Sequence, residues 1–275
     1  MKKNQLQGKT IVISGVTSGM GRTLTVTFTK KYGARVIGIA RNEEKCKALQ
    51  AELPEGSFSY YLFDVSDKQA WHNFAEELKA QDVTVDILLN NAGMLPRFTR
   101  FDRFSVEETE RVMAVNYFSI VYACHELLPL ITKKDGGAVY NIASSAALCP
   151  LPGATFYEAS KAAVKNFTES LAGEYSKKKL HVGVICPGFT LTDLFRAQDK
   201  TGMKDDRILK LATPCAKMAR NIEKTIVKRK RRKVFGFDAK GMALLYTLFP
   251  SHASHIIAKI LTLSKSIMFD GVFDE

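Results

Sequence analysis

Short, almost wholly apolar runs alternate with longer stretches of helical period through most of this sequence, and that alternation constrains the fold more than any other feature. The runs are Thr10 to Gly15, Arg35 to Ala40, Phe58 to Phe63, Val85 to Asn90, Ala138 to Ala143 and Leu180 to Cys186, with a further candidate at Lys233 to Phe237. Strands that are apolar throughout, rather than at every second residue, are buried on both faces. Strands separated by helices pair in parallel. The expected fold is therefore α/β: a doubly wound parallel sheet of about seven strands with helices on both faces. Of the 275 residues, 46% are hydrophobic, enough for one large core.

The helical stretches carry their own punctuation. Gly33 ends the first, and Asn42 to Ala51 and Asp67 to Ala80 form the next two. Ser105, followed by Glu107 and Glu108, predicts the start of a long helix through Ile131. Pro214 suits a first helical turn. No repeat or linker divides the chain. One domain is expected over residues 1–240, with an apolar helical extension over 241–275 whose two parts are split by Pro250.

Gly15, Gly19 and Gly21 fall between the first strand and the first helix. A turn of this kind lets backbone approach a pyrophosphate, and the helix N-terminus supplies N–H donors. A nucleotide site is expected there, with Thr17, Ser18 and Met20 beside the glycines. At the end of the second strand a carboxylate would favour NAD. Here Ala40 is followed by Arg41, which suits a 2′-phosphate, so NADP(H) is the expected cofactor. Asp64 and Val65 follow the third strand and are candidates to hold an adenine. Asn91, Ala92 and Gly93 follow the fourth, where small residues would let a ribose lie against backbone.

Tyr157 and Lys161 are one helical turn apart, so both face one side of a helix. A cation beside a phenol favours the phenolate and makes a tyrosine fit to move protons. The pair alone is also what an ordinary half-buried helix face looks like.

Taken together, Ser14-Gly15-x-x-x-Gly19-x-Gly21, Asn90-Asn91-Ala92-Gly93, Asn116, Ser144, Tyr157-x-x-x-Lys161 and Pro187-Gly188 resemble, in order and spacing, the short-chain dehydrogenase/reductases over about residues 7 to 240. The resemblance implies a Rossmann-type fold and a catalytic tetrad. Tyr157 would exchange a proton with the substrate oxygen. Lys161 would lower the phenol pKa and bind the nicotinamide ribose. Ser144, rather than Ser145, would position the substrate oxygen, and Asn116 would hold a water leading to solvent. Gly188, Thr190 and Thr192 would meet the nicotinamide amide or a phosphate. Residues 189–213 would form a flap, apolar through Leu191, Leu194, Phe195, Met203, Ile208 and Leu211. A hydrophobic ketone or aldehyde and its alcohol are the expected substrates. A 3-ketoacyl thioester reductase and an NADPH-binding regulatory protein without turnover are the alternatives. Ala147 replaces a glycine common in the family, and the Gly-Gly ending that helps build tetramers is missing, so a homodimer is expected instead.

The net charge of +12 is concentrated: residues 200–240 hold fourteen Lys/Arg against four Asp/Glu, peaking at Lys228 to Lys233. Without interleaved aromatics this run predicts no nucleic-acid partner; a solvated face or attraction to anionic lipid accounts for it. The tail has helical apolar spacing through Ile256, Ile260 and Leu263, so peripheral membrane contact through 228–264 is a second expectation. Five scattered cysteines without ligand spacing suit a reducing, cytoplasmic setting, and no metal site, signal peptide or uncharged membrane-spanning segment is expected.

Overall fold

A computed structural model describes residues 5–132, 135–177, 179–192, 212–264 and 266–273. Its strands are β1 (Thr10–Ser14), β2 (Arg35–Ala40), β3 (Phe58–Leu62), β4 (Ile87–Asn90), β5 (Ala138–Ile142), β6 (His181–Pro187), β7 (Thr190–Leu191), β8 (Thr213–Pro214) and β9 (Arg232–Phe235). Seven form one sheet in the order β3-β2-β1-β4-β5-β6-β9, and every pairing in it is parallel. This is the doubly wound Rossmann-type sheet that the alternation predicts. The two-residue pair β7–β8 was not foreseen: Thr190 lies beside Thr213 and Leu191 beside Pro214, which ties together the two ends of the expected flap. Residues 193–211 of that flap lie outside the described residues.

Alternate strand residues feed two separate cores, as the period of two requires. Ile11 and Ile13 join one cluster with Leu24 and Phe28 of α1 (Gly19–Tyr32), Leu49 of α2 (Glu43–Ala51) and Ile222 of α7 (Cys215–Val227). Val12, between them, joins the opposite cluster. There it meets Trp71 and Phe74 of α3 (Lys68–Ala80), Leu127 of α5 (Ser119–Ile131) and Val164 of α6 (Thr155–Glu174). Asn42, Asp67 and Ser105 each accept a backbone N–H at a helix start, and Ser105 completes a capping box with Glu108. Gly33 takes φ +64° at the end of α1, where its N–H reaches the carbonyls of Phe28 and Thr29.

The helix predicted from Ser105 to Ile131 is continuous but not uniform. It runs as α4 (Val106–Met113), a five-residue π-helical stretch (Ala114–Phe118) and α5. By length and composition it is apolar enough to cross a membrane, yet half of its apolar window is buried, with Ile120, Ala123 and Leu127 in the sheet-facing core. Beyond β9 come α8 (Phe237–Leu248) and α9 (Ala253–Ser264). Their buried residues Met242, Ala253, Ile257 and Leu261 form a third cluster with Phe98, Leu151 and Phe269.

Because the winding reverses between β1 and β4, the carboxyl ends of the strands border a crevice. Gly15, Arg41, Asp64, Asn91, Ser144 and Gly188 all follow strand ends at this edge. The basic run begins at the other edge, ahead of β9. There Arg229 donates to the carbonyls of Gly136 and Gly137, and Arg232 pairs with Glu169. The run's first four residues precede β9 and its last two, Arg232 and Lys233, open that strand, which then runs toward the start of α8.

A buried carboxylate clamps α1 to α7. Glu223, 4% exposed at its side chain, accepts from the Tyr32 hydroxyl and, at 2.6 Å, from Lys31 Nζ. Burial works to raise the Glu223 pKa, but the two donors outweigh it and hold the carboxyl below its ordinary value. Removing the carboxylate leaves a buried hydroxyl without an acceptor. Glu223→Ala is therefore expected to lose about 1–3 kcal/mol in urea unfolding. Lys31→Ala, whose side chain is 51% exposed, is expected to lose less.

Candidate functional site

The nucleotide groove is built from backbone first. Gly15 sits at φ +76° and Gly19 at φ +51°, conformations that side chains other than glycine rarely adopt. Gly21 is needed for a different reason: a Cβ there would run into the Gly15 carbonyl oxygen and the Asn91 amide. The turn thus packs close to β1, and Ser18 makes no side-chain cap at the start of α1. Thr17, Ser18, Gly19 and Met20 line a groove of about 1090 Å³, including its open mouth, that continues past Ala40, Arg41, Asp64, Val65, Ala92 and Thr192.

Asn91 fixes the near wall. Its backbone N–H and that of Ala92 both donate to Ser14 Oγ at 3.0 Å, and its Nδ2 donates to the carbonyls of Ser14 and Gly15. The other end of its amide, Oδ1, is buried with no hydrogen-bond partner. A buried acceptor left open at the groove costs folding energy unless a bound donor reaches it. That orphaned atom and the close glycine cradle fit a dinucleotide.

At the far end, Asp64 accepts from the backbone N–H and hydroxyl of Ser66 at 2.9 and 2.7 Å, and from Arg111 Nη2 at 2.6 Å. Burial pushes against its charge. The Ser66 bonds and the Arg111 guanidinium prevail and hold the carboxyl well below the usual carboxylate range. Arg41 is 73% exposed and lies 3.4 Å from the same carboxylate. Arg111 thus holds Asp64 more closely than Arg41 does, and Arg41 lines the groove. Sequence reasoning missed Arg111. Its position five residues before Asn116, on the helix that borders the groove, is the only signal, and it needs the tertiary fold to be read.

A second cleft adjoins the first and shares Met20, Asn91, Gly93, Met94 and Thr192 with it. It holds Ser144, Tyr157 and Lys161 together. Ser144, just past the end of β5, lines the cleft beside the Tyr157 phenol and accepts from the Ala146 N–H at 3.2 Å. Ser145 starts the short 3-10 turn Ser145–Ala147. Lys161 is 4% exposed, and its Nζ donates to the Ile142 carbonyl at 3.0 Å and lies 5.8 Å from the Tyr157 ring centre. Gly93 keeps the approach open: a Cβ there would sit 3.2 Å from Asn116 Oδ1 and 3.4 Å from Lys161 Nζ.

Asn116 lies in the π-helical stretch, a kind of helix irregularity often found at functional sites. Its Oδ1 accepts from the Met94 N–H at 2.8 Å, and its Nδ2 donates to the Met94 carbonyl and to Ser160 Oγ, both at 3.0 Å. These contacts pin the segment after β4 to α6 just before Lys161. Neither Met94 nor Ser160 stood out in the sequence.

Burial sets the charges here. It lowers the Lys161 pKa to about 8 and raises that of Tyr157 above its ordinary value. The expected lowering of the phenol by the neighbouring cation is not found in the chain alone: burial raises it, and Ser144, not Lys161, is what opposes the rise. The same desolvation that disfavours phenolate also disfavours ammonium.

The segment after β6 is held from the tail. The Gly188 N–H donates to the Phe235 carbonyl, and the Phe189 N–H donates to Asp238 Oδ2 at 2.7 Å. A Cβ at Gly188 would collide with that carboxylate. Thr190 Oγ1 donates to the Gly188 carbonyl at 2.9 Å, and Thr190 and Thr192 line the cleft. Asp238, near the start of α8, was also missed; an acidic residue in a basic, apolar region is its only sequence mark. Leu95, Phe98, Ile142, Leu151 and Phe189 make the remaining wall largely apolar. Among the described residues no group of His, Cys, Asp and Glu is placed to hold a metal.

Glu158, next to Tyr157, accepts from the Leu151 N–H. Burial outweighs that bond and pushes its carboxyl up to about 8. A carboxyl raised in the folded state holds its proton there while the unfolded chain has released its own. Stability should therefore fall as pH rises from the ordinary carboxyl value toward 8. Glu158→Gln is expected to remove that fall: melting temperatures of variant and parent converge near pH ~5 and separate above pH ~8, with the variant higher.

Comparison with known proteins gives one family. Residues 9–202 match the model described as short chain dehydrogenase. A 3-oxoacyl-[acyl-carrier-protein] reductase of Haemophilus influenzae is 35% identical over 189 residues, 69% of this chain and 77% of the relative. A 3beta-hydroxysteroid dehydrogenase of Mediterraneibacter gnavus is 32% identical over 202 residues, 72% of each. A crystal structure of a short chain dehydrogenase from Salmonella enterica superposes with a TM-score of 0.76 at 26% identity, over 86% of this chain and 98% of that one.

Proposed function

The chain belongs to the short-chain dehydrogenase family, and from that premise we propose that it is an NADP(H)-dependent oxidoreductase interconverting a hydrophobic ketone or aldehyde and its alcohol. The observation that carries this reading is the convergence of Ser144, Tyr157 and a buried Lys161 on one cleft continuous with the dinucleotide groove.

When bound, a nicotinamide supplies or accepts the hydride. The residues of the chain do the rest. Gly15, Thr17, Ser18, Gly19, Met20 and Gly21 would take the pyrophosphate. Asp64 and Val65 would flank the adenine, and Asn91, Ala92 and Gly93 the ribose. Gly188, Thr190 and Thr192 would meet the carboxamide end. Ser144 and Tyr157 bracket the place of a substrate oxygen. In reduction the phenol gives its proton to that oxygen; in oxidation the phenolate takes it back. A ribose hydroxyl at Lys161 would supply the hydrogen-bond partner that the ammonium, held only by the Ile142 carbonyl, otherwise has in short supply. Asn116 holds the Met94 segment against α6, which keeps Lys161 in register; any water it also holds would connect that lysine with solvent.

Tyr157→Phe keeps the ring and removes the proton. It is expected to lower kcat by roughly 10²–10⁴-fold while NADPH still binds in a fluorescence titration. Near-normal turnover by that variant would sink the mechanism, and a chain that turns over no ketone or alcohol in a broad absorbance screen would favour the regulatory reading.

NADP(H) is proposed over NAD(H) because Arg41 borders the groove where a carboxylate would be needed for a free ribose hydroxyl, and because Asp64 is held by Arg111. Arg41→Asp is expected to weaken NADPH at least roughly tenfold and NADH little. Tighter NADH than NADPH binding by the parent chain would overturn the cofactor choice.

The apolar cleft wall and the similarity to the steroid dehydrogenase support a bulky hydrophobic substrate. The similarity to the acyl-carrier-protein reductase favours a 3-ketoacyl thioester as the second reading. Side-by-side turnover of a 3-ketosteroid and a 3-ketoacyl thioester separates them. A homodimer in a reducing, cytoplasmic setting completes the proposal; four of the five cysteines are buried.

A further inference from the structure

The two tail helices have different work on their two faces. Inward, Met242, Leu245, Ala253, Ile257 and Leu261 pack into the apolar cluster that also contains Phe98 and Leu151 of the substrate cleft. Outward, both helices remain apolar. On α8, Phe237, Leu244 and Leu248 are 94%, 60% and 60% exposed at helical spacing, and Gly241 between them adds no side chain. On α9, Ile260 and Leu263 are 53% and 71% exposed, with Phe249 exposed ahead of the helix and Ile267 after it. Since both helices turn their buried faces to one cluster, the exposed stripes lie on the side away from it. A surface of this kind is unusual for a helix that has only water beside it.

The exposed Lys, Arg, Asp and Glu residues that these two helices themselves carry have one sign. The only acidic residue of either helix, Asp238, is turned inward onto the Phe189 N–H. The outward titratable groups include Lys240 and Lys259, both exposed, with no carboxylate on either helix to offset them. Of the run at Lys228 to Lys233, four residues precede β9 and two open it, so none of it lies on α8 or α9. We propose that α8 and α9 dock on an anionic lipid bilayer surface, inserting Phe237, Leu244, Leu248, Ile260 and Leu263 among the headgroups while Lys240 and Lys259 meet lipid phosphates. Apolar area supplies most of the attachment, and the lysines select for negative charge. A second copy of the chain fits less well, because two like-charged faces would oppose each other.

The test uses the full chain and needs no substrate, so it stands or falls separately from the proposed chemistry. Co-sedimentation is measured with phosphatidylcholine vesicles, with and without phosphatidylglycerol, at low and high salt. The comparison is a Leu244→Glu/Leu263→Glu variant, both substituted side chains being exposed; circular dichroism and thermal melting check that it folds. The chain is expected to sediment with anionic vesicles, less with neutral ones and less at high salt. The variant is expected to bind roughly tenfold or more weakly while melting like the parent. Failure to sediment with anionic vesicles overturns the proposal. So does a folded variant that binds like its parent. A sedimentation-velocity dimer that the double variant abolishes, without vesicle binding by the parent, would assign the surface to a second copy instead.

Discussion

A lysine buried to 4% exposure with a single backbone carbonyl as its near partner is the constraint on which the site depends. An ammonium in that place is costly, and several elements are arranged around the cost. β5 supplies the Ile142 carbonyl. Gly93 leaves room for the Nζ. The π-helical stretch brings Asn116 across to Ser160, one residue from Lys161, and to both backbone groups of Met94. The same burial acts on the phenol one turn away, so neither group is comfortably charged without a ligand. In the proposed chemistry, a cofactor hydroxyl at Lys161 would ease the loss of a proton from Tyr157 and so link nucleotide binding to proton transfer.

The sheet carries this arrangement because of its winding. Reversal between β1 and β4 opens the crevice, and side chains from the ends of six strands converge on it. The Tyr157–Lys161 pair is an ordinary helix face until β5 brings Ser144 to the phenol and β4 brings Asn91 and Gly93 alongside. Asn91, with one amide end fixed on Ser14 and Gly15 and the other unpaired, stands between the groove and the catalytic cleft.

Much of the fold is legible in the sequence because its signals are local. Apolar runs mark the strands, Asn42, Asp67 and Ser105 mark helix starts, and Gly33 marks an end. The glycine loop is legible because backbone conformation and close packing both demand glycine. What the sequence does not reveal depends on distant partners. Arg111 matters because α4 passes Asp64, and Asp238 because α8 begins beside Phe189. The π-helical turn follows from tertiary contacts of Asn116, not from any local residue preference. The basic run and the apolar tail are close in sequence, yet most of the run precedes β9, at the opposite edge of the sheet from the start of α8. That separation shifts attention to Lys240 and Lys259.

We propose that this buried centre serves direct hydride transfer between a nicotinamide and a carbonyl carbon. Its most direct measurement is turnover of a ketone substrate with NADPH deuterated in turn at each face of C4, in ordinary water, with the alcohol examined by mass spectrometry. The account predicts that deuterium from one face appears on the carbinol carbon, with the hydroxyl proton coming from solvent. An alcohol free of deuterium with either cofactor would contradict it.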